Sequence, residues 1–273
     1  MKRLAFIITI AASLLAASCS VKEDRSNTPC WLYVYMNNAA DFSEDAFLAG
    51  WGDTGLLYSE TVPLADRPEH YKTPVPKGFI TSSALLNATS SRISGDNVVI
   101  PYGQECDRYF ASMHDNVNCT GERGRDDLEI HKEHAMLYFK GASTATGVMS
   151  FRIYGTVKGM SLRSLEPLAG EFSAYAHKNE NGWMEVCLPR QKDDDLMLEV
   201  QLDGAPYMNV AIGDLIARTE YSWTNPDLDD IYLQVTIGQD TGEATISISV
   251  SEWNRNSVNV GEWDEKHAVD FKL

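Results

Sequence analysis

The chain has 273 residues, with 39 Asp and Glu against 23 Lys and Arg, and a formal net charge of −16. This balance argues against nucleic acid as a partner, because phosphate contacts require clustered basic side chains, and against docking on anionic lipid through a basic face. The composition is not that of a disordered chain, and the length is sufficient for one large domain or two ordinary ones.

The amino terminus has the pattern of a secretory signal. Lys2 and Arg3 precede an uncharged apolar stretch, residues 4–17, which is shorter than the roughly 20 residues that span a bilayer. Small residues then lead directly into Cys19, an arrangement that looks like a bacterial lipoprotein signal. This resemblance implies cleavage between Ser18 and Cys19, with N-palmitoyl and S-diacylglycerol groups on Cys19. The alternative is an ordinary signal peptide with an incidental cysteine.

A tether is expected over residues 19–29, because residues 20–29 are polar and lack hydrophobic periodicity. Within it, Lys22-Glu23-Asp24 is similar to a surface-export signal of Bacteroidetes lipoproteins; a plain charged spacer is the alternative. Without residues 1–18 the chain keeps 21 Lys and Arg against 39 acidic residues, a formal charge of −18. Such an acidic surface is most simply a solubility device.

From Trp31 onward, apolar residues recur with a period of two, which is typical of half-buried strands. Ile246, Ile248 and Val250 alternate with hydroxyl residues, and a Gly-containing turn at residues 238–242 precedes them, which predicts a hairpin. The predicted strands after the first are residues 134–140, 148–157, 171–176, 182–188, 196–202, 231–237 and 244–250.

Helical signals are sparse, and the clearest is a short helix over residues 41–50 with Ser43 as its cap. Many short strands separated by turn residues favour an all-β fold with β-sandwich architecture and few short helices. The polar stretch at residues 118–127 has the composition of a domain junction, so we expect domains over residues 30–127 and 128–273. A junction near Lys158-Gly159 is the alternative.

Four cysteines remain besides Cys19, namely Cys30, Cys106, Cys119 and Cys187. Export would permit disulfides, and Cys106 with Cys119 is the candidate pair because it is the closest in sequence. Four free, buried thiols are the alternative, since connectivity cannot be deduced from sequence. The spacings do not match those of a zinc site.

Patterns that would indicate catalysis or cofactor binding are weak. His131 and His134 are spaced to share a metal on a helix, but on a strand they lie on opposite faces. Residues 141–145 begin like a nucleophile elbow without its second glycine. The acidic runs at residues 193–195 and 229–230 lack the spacing of a calcium loop and are interpreted as solvated strand ends. We therefore expect a protein that is not an enzyme, with no cofactor and no metal site.

Three stretches together resemble the FimB-like fimbrial anchor lipoproteins of Bacteroidales. The first covers residues 19–32, and the second covers residues 188–196 with the element Pro189-Arg190-Gln191. The third is Leu228-Asp229-Asp230-Ile231 with the later Val250-Ser251-Glu252-Trp253-Asn254. The resemblance implies two transthyretin-like β-sandwich domains and a surface-exposed, lipid-anchored protein of the outer membrane. It also implies that the protein anchors or caps a pilus and contacts pilin subunits through donated strands.

A surface glycan-binding lipoprotein is the alternative function, and it would use exposed aromatic rings. Three tryptophans on one exposed face would favour it; the chain has Trp31, Trp51, Trp183, Trp223, Trp253 and Trp263.

The carboxyl-terminal tail has two possible roles. Residues 267–273 alternate again, and such a segment either completes its own sheet or pairs with the open edge of a neighbouring subunit.

Overall fold

The computed structural model describes residues 28–37, 45–64, 70–143, 148–237, 244–251 and 269–272. This part of the chain consists mainly of β-strands, which confirms the expected all-β fold. In chain order the strands are β1 (Cys30–Met36), β2 (Ala46–Gly52), β3 (Gly55–Val62), β4 (Tyr71–Val75), β5 (Phe79–Leu86), β6 (Ile93–Ser94), β7 (Asn97–Val99), β8 (Phe110–Asn118), β9 (Arg123–Leu128), β10 (His131–Lys132), β11 (His134–Ser143), β12 (Met149–Ser161), β13 (Pro167–Tyr175), β14 (His177–Lys178), β15 (Met184–Pro189), β16 (Met197–Leu202), β17 (Ala205–Val210), β18 (Asp230–Ile237), β19 (Ala244–Ser251) and β20 (Val269–Lys272).

These strands form four sheets. Sheet A has the order β4-β1-β9 and sheet B the order β10-β8-β5-β2-β3. Sheet C has the order β17-β16-β12-β7-β6, with β13 also paired to β12, and sheet D has the order β14-β15-β11-β18-β19-β20. The described helical segments are a single 3₁₀ turn, Ser90–Arg92, and the short helix α1, Ile212–Ile216. The strand pairs are antiparallel except β1 with β9 and β11 with β18.

Sheets A and B enclose the first hydrophobic core. Leu32 and Val34 of β1 are fully buried in this core. Trp31, the residue before Leu32, points to the other face of the strand and is 42% exposed. Sheet B contributes Leu48 and Leu86 to the same core. The alternation predicted for the first strand is therefore confirmed, because one face of a sandwich sheet meets the core and the other meets water.

Sheets C and D enclose the second core. Phe139 of β11 stacks on Phe151 of β12, with ring centroids 5.0 Å apart and an interplanar angle of 5°. Along sheet D, the predicted hairpin is confirmed by an antiparallel register that pairs Leu233 of β18 with Ile248 of β19. The turn at residues 238–242 lies outside the described residues.

The second face of sheet B packs against this second core, through Ala49, Trp51, Leu85 and Ala111. The strand β2 is consequently buried on both sides, with Leu48 in one core and Trp51 in the other. The helix predicted over residues 41–50 is therefore wrong from residue 46 onward, and Ser43 lies outside the described residues. A strand covered on both faces is a continuous apolar run without the period of two, so the pattern was ambiguous.

Sheets C and D are not built only from the second half of the chain. The β6–β7 hairpin, which comes from the first half, belongs to sheet C and pairs with β12 through β7. Gly159 permits this pairing, since a Cβ there would lie 1.9 Å from the carbonyl oxygen of Val98. Lys158-Gly159, the alternative junction, thus lies inside a continuous strand. The second half of the polar stretch at residues 118–127 belongs to β9, which pairs with β1. The boundary after residue 127 stays a prediction.

Candidate functional site

Ser18 and Cys19 precede the described residues, so signal cleavage and lipid attachment stay predictions. In the described part of the chain, no helix is long and apolar enough to cross a membrane.

Two of the three family-like stretches meet at the segment that joins β10 to β11. Arg190 donates from Nε to Oε2 of Glu133 at 2.6 Å, and both side chains are largely buried. The same guanidinium donates to the backbone carbonyls of Trp223, Asn225 and Pro226. Burial raises the pKa of Glu133, and the adjacent Arg190 acts in the opposite direction. Arg190 thus fixes the chain that leads from α1 to β18 against sheet D.

A second ion pair involves Lys132, the residue that precedes Glu133. Lys132 Nζ is 2.6 Å from Asp230 Oδ1, which also accepts the backbone N–H of Met136 at 3.0 Å. Asp227 Oδ1 accepts the backbone N–H of Lys132 at 2.8 Å. The sequence pattern predicts that Asp230 is a solvated strand end. That interpretation is wrong, because its carboxylate pairs with a lysine side chain that is only 2% exposed.

We call Lys132, Glu133, Arg190, Asp227 and Asp230 the junction cluster. Lys132 lies in β10 of sheet B and Glu133 in the linker to β11, whereas Asp230 lies in β18 of sheet D. Arg190 directly follows β15 of sheet D, and Asp227 lies in the loop before β18. Sheets A and B form the first sandwich, and sheets C and D form the second. The junction cluster joins these two sandwiches through ion pairs, because a buried charge needs a partner of opposite sign. The sequence marked Arg190 and Asp230 through the family resemblance but gave no sign of their partners, which lie far away along the chain.

The two histidines of the possible metal pattern have separate surroundings. His134 is buried, and its Nδ1 donates to the carbonyl oxygen of Tyr109 at 2.9 Å. Burial lowers the pKa of His134 to about 3, so the ring is neutral. His131 Nδ1 instead lies 3.5 Å from Asp227 Oδ2. Within the described ranges, no group of three His, Cys, Asp or Glu side chains could hold a metal ion.

The remaining weak motifs have simple surroundings. Residues 141–143 continue strand β11, and residues 144–147 lie outside the described residues. Residues 193–195 are exposed, as expected of a solvated acidic run.

The four described cysteines are all buried, and the structure contains no bond between any two of them. Cys106 lies beside Cys187 in the second core, while Cys119 lies beside Cys30 in the first. The structure therefore does not bring Cys106 and Cys119 together, although they are closest in sequence. The reason is that strand β8 separates them and carries each to a different core.

One of the four described tryptophans is exposed to solvent. Trp51 is buried and donates from Nε1 to Asp96 Oδ1 at 2.8 Å, and Trp183 and Trp223 are half-buried. Trp31 is exposed, with Lys72 Nζ 4.3 Å from its ring centroid. Trp253 and Trp263 lie outside the described residues. The described tryptophans thus do not form an exposed face of three rings.

The carboxyl-terminal segment forms the outer strand of sheet D. Strand β20 pairs antiparallel with β19, and Phe271 lies opposite Ile246 in the register. The tail therefore completes its own sheet, as one of the two interpretations expected. In the described part of the chain, no strand pairs with the other side of β20. An outer strand leaves a row of backbone donors and acceptors available to another chain.

The fold is similar to that of bacterial surface proteins of known structure. The fimbrial anchor protein Mfa2 from Porphyromonas gingivalis superimposes with a TM-score of 0.59 at 10% identity, covering 82% of this chain and 98% of that chain. A proposed polysaccharide-binding protein from Bacteroides thetaiotaomicron gives a TM-score of 0.58 at 11% identity, covering 82% and 98%. A proposed adhesin from Bacteroides ovatus gives 0.57 at 12% identity, covering 86% and 96%.

No protein-family model and no curated protein matches the chain. The resemblance to fimbrial anchor proteins stated from sequence is confirmed by structure, at the level of the fold. The shared fold extends over nearly the whole length of each of these proteins.

Proposed function

We propose that this chain is a non-enzymatic lipoprotein of the outer membrane that anchors or caps a surface pilus. The observation that carries the proposal is the similarity of its fold to Mfa2, described as a fimbrial anchor protein, over 98% of that chain. The lipoprotein-like signal before Cys19 supports the same function, because a filament anchor needs a stable attachment. Several acyl chains on one cysteine would provide it.

The partners in this proposal are pilin subunits, and the contact is made by β-strands. The outer edge of β20 is the candidate joint, since a strand from a subunit can extend sheet D through backbone hydrogen bonds. Such a contact depends little on the side chains of the edge strand.

Affinity capture of the intact protein from detergent-solubilised outer membranes tests the proposal. Pilin subunits should be recovered with it, and a strain that lacks the protein should release pili into the medium. Recovery of polysaccharide without pilin would contradict the proposal and favour the glycan-binding alternative. That alternative has weaker support, because Trp31 is the exposed one among the four described tryptophans.

A chain ending at Lys266 tests the proposed joint. It lacks β20 and should remain folded and membrane-bound while pili are shed. The matched control is Asp270→Ser, which keeps the backbone of β20 and should retain pili. Retention of pili by the shortened chain would exclude β20 as the joint, and loss of folding would show that the protein depends on β20 for its stability.

A further inference from the structure

We propose that the exported protein carries two disulfides, Cys30–Cys119 and Cys106–Cys187, which together connect the tether covalently to the second sandwich. This rests on the export that is part of the proposed function. The pairing differs from the one that sequence distance favours, and it follows from where the four sulfur atoms lie.

The first pair lies inside the first sandwich. A Cβ placed on Gly124 of β9 would be 2.6 Å from Cys119 Sγ and 3.4 Å from Cys30 Sγ. The two sulfur atoms therefore lie close to the same position, above Gly124. Cys30 is the first residue of β1 in sheet A. Cys119 directly follows β8 and exchanges backbone hydrogen bonds with Gly78, at the end of sheet B. A bond between them would join the two sheets.

The second pair joins the two sandwiches. The backbone N–H of Cys106 donates to the carbonyl oxygen of Cys187 at 3.0 Å. Both thiols approach the carbonyl oxygen of Asp107, with Cys106 Sγ at 3.2 Å and Cys187 Sγ at 3.6 Å. Cys106 belongs to the loop before β8, whereas Cys187 lies in β15 of sheet D. Close backbones and convergent sulfurs are the geometry that a disulfide requires.

The two bonds have a joint consequence for an anchored protein. A pull on the lipid tether reaches the folded body at Cys30, the first residue of β1. With both bonds present, the covalent path runs from Cys30 to Cys119, back along β8 to Cys106, and across to Cys187 in sheet D. The path bypasses residues 31–105, so load passes to the second sandwich without stretching β1 to β7.

Both bonds can form by thiol–disulfide exchange with a disulfide-bearing oxidoreductase of the cell envelope. A cysteine thiolate attacks a sulfur of the oxidant disulfide, which forms a mixed disulfide and releases one oxidant thiolate. The partner cysteine thiolate then attacks the protein sulfur of the mixed disulfide and releases the second. The protein loses two electrons and two protons per bond, and the oxidant becomes a dithiol.

Exchange is expected during folding rather than afterwards. Burial raises the pKa of Cys106 well above its usual range and that of Cys119 to about 12. Since the thiolate is the reactive species, these thiols are nearly inert once buried. The oxidant must therefore act on the chain as it emerges from export.

Peptide mapping decides the connectivity, because trypsin cleaves after Arg108 and separates Cys106 from Cys119. Cells are lysed directly into a denaturant that contains N-ethylmaleimide, which blocks every free thiol whether it was buried or exposed, and the protein is digested without reduction. We expect residues 26–72 linked to residues 109–123, and residues 93–108 linked to residues 179–190. Reduction should release all four peptides. A link between residues 93–108 and 109–123 would overturn the proposal.

Two single variants provide matched controls. Cys187→Ala should leave only the Cys106 peptide alkylated, and Cys30→Ala should leave only the Cys119 peptide alkylated. The opposite assignment in either variant would contradict the pairing.

A separate arm distinguishes failure of export from failure of the pairing. Fatty-acid labelling of the same cells reports whether the chain is processed as a lipoprotein. If it is labelled and all four cysteines are alkylated, the disulfide proposal is wrong. If it is not labelled, the purified chain is unfolded and refolded in a glutathione redox buffer. The same two links must then form, and any other pattern overturns the pairing.

Discussion

Lys132 Nζ lies 2.6 Å from Asp230 Oδ1, although the lysine side chain is 2% exposed and belongs to a strand of the other sandwich. A buried ammonium without a partner is strongly destabilising. This contact and the Arg190–Glu133 pair beside it make the junction between the sandwiches depend on charge pairing.

Replacing Asp230 with asparagine should therefore destabilise the protein by about 3–5 kcal/mol, because it removes the carboxylate that lies 2.6 Å from the buried Lys132 ammonium. The free energy of unfolding in urea measures the effect. Asp127→Asn is the matched control, since Asp127 pairs with Arg125 at 2.7 Å where both side chains are exposed. Exposed pairs contribute little, so equal losses in the two variants would contradict a special role for the junction cluster.

Acid should weaken the fold through His134. Its folded pKa of about 3 lies below the ordinary value of 6.5, so the unfolded chain binds the extra proton between these values. The stabilisation is complete above pH 6.5 and is lost as the pH falls toward 3, by up to about 1.4 kcal/mol per pH unit.

The variant His134→Asn isolates this contribution, since an amide can also donate to the carbonyl of Tyr109 and does not titrate. The slope of the unfolding free energy against pH, between 6.5 and 3, should be smaller in the variant. Burial raises the pKa of Asp126 and Glu133, which acts in the opposite direction in both proteins. Identical slopes would show that His134 is not buried in its neutral form.

The hairpin register gives a third prediction. Ile248 lies opposite Leu233, which is fully buried, and residues directly opposite in a sheet share a face. Ile248→Asp should therefore cost several kcal/mol in the free energy of unfolding, because it places an unpaired charge in an apolar layer. Ser247→Asp, one residue away on the other face, should be tolerated far better. Similar losses in both variants would mean that the register, or the strand assignment, is wrong.

Lipidation gives a fourth prediction, at Cys19. Labelled fatty acid should be incorporated into the wild-type protein and not into Cys19→Ala, which should appear in the soluble fraction. Cys30→Ala, which keeps the signal intact, should be labelled like the wild type. Equal labelling of the wild type and Cys19→Ala would exclude Cys19 as the lipid attachment site.

The sequence alone determined the features that depend on neighbouring residues. The alternation of β1 and of the β18–β19 hairpin predicted strands because side chains on a strand alternate between core and solvent. The all-β class followed from the number of such segments. The same reasoning failed at β2, since burial on both faces removes the alternation.

Only the tertiary structure decided which distant residues meet. Cys106 and Cys119 are close in sequence, yet β8 carries them to different cores and different partners. Lys132 and Asp230 are far apart in sequence and form a buried pair. Such contacts depend on how the sheets pack across the chain, and local periodicity carries no record of that packing. The fold class could therefore be predicted from the chain, whereas the junction cluster and the cysteine pairs required its three-dimensional structure.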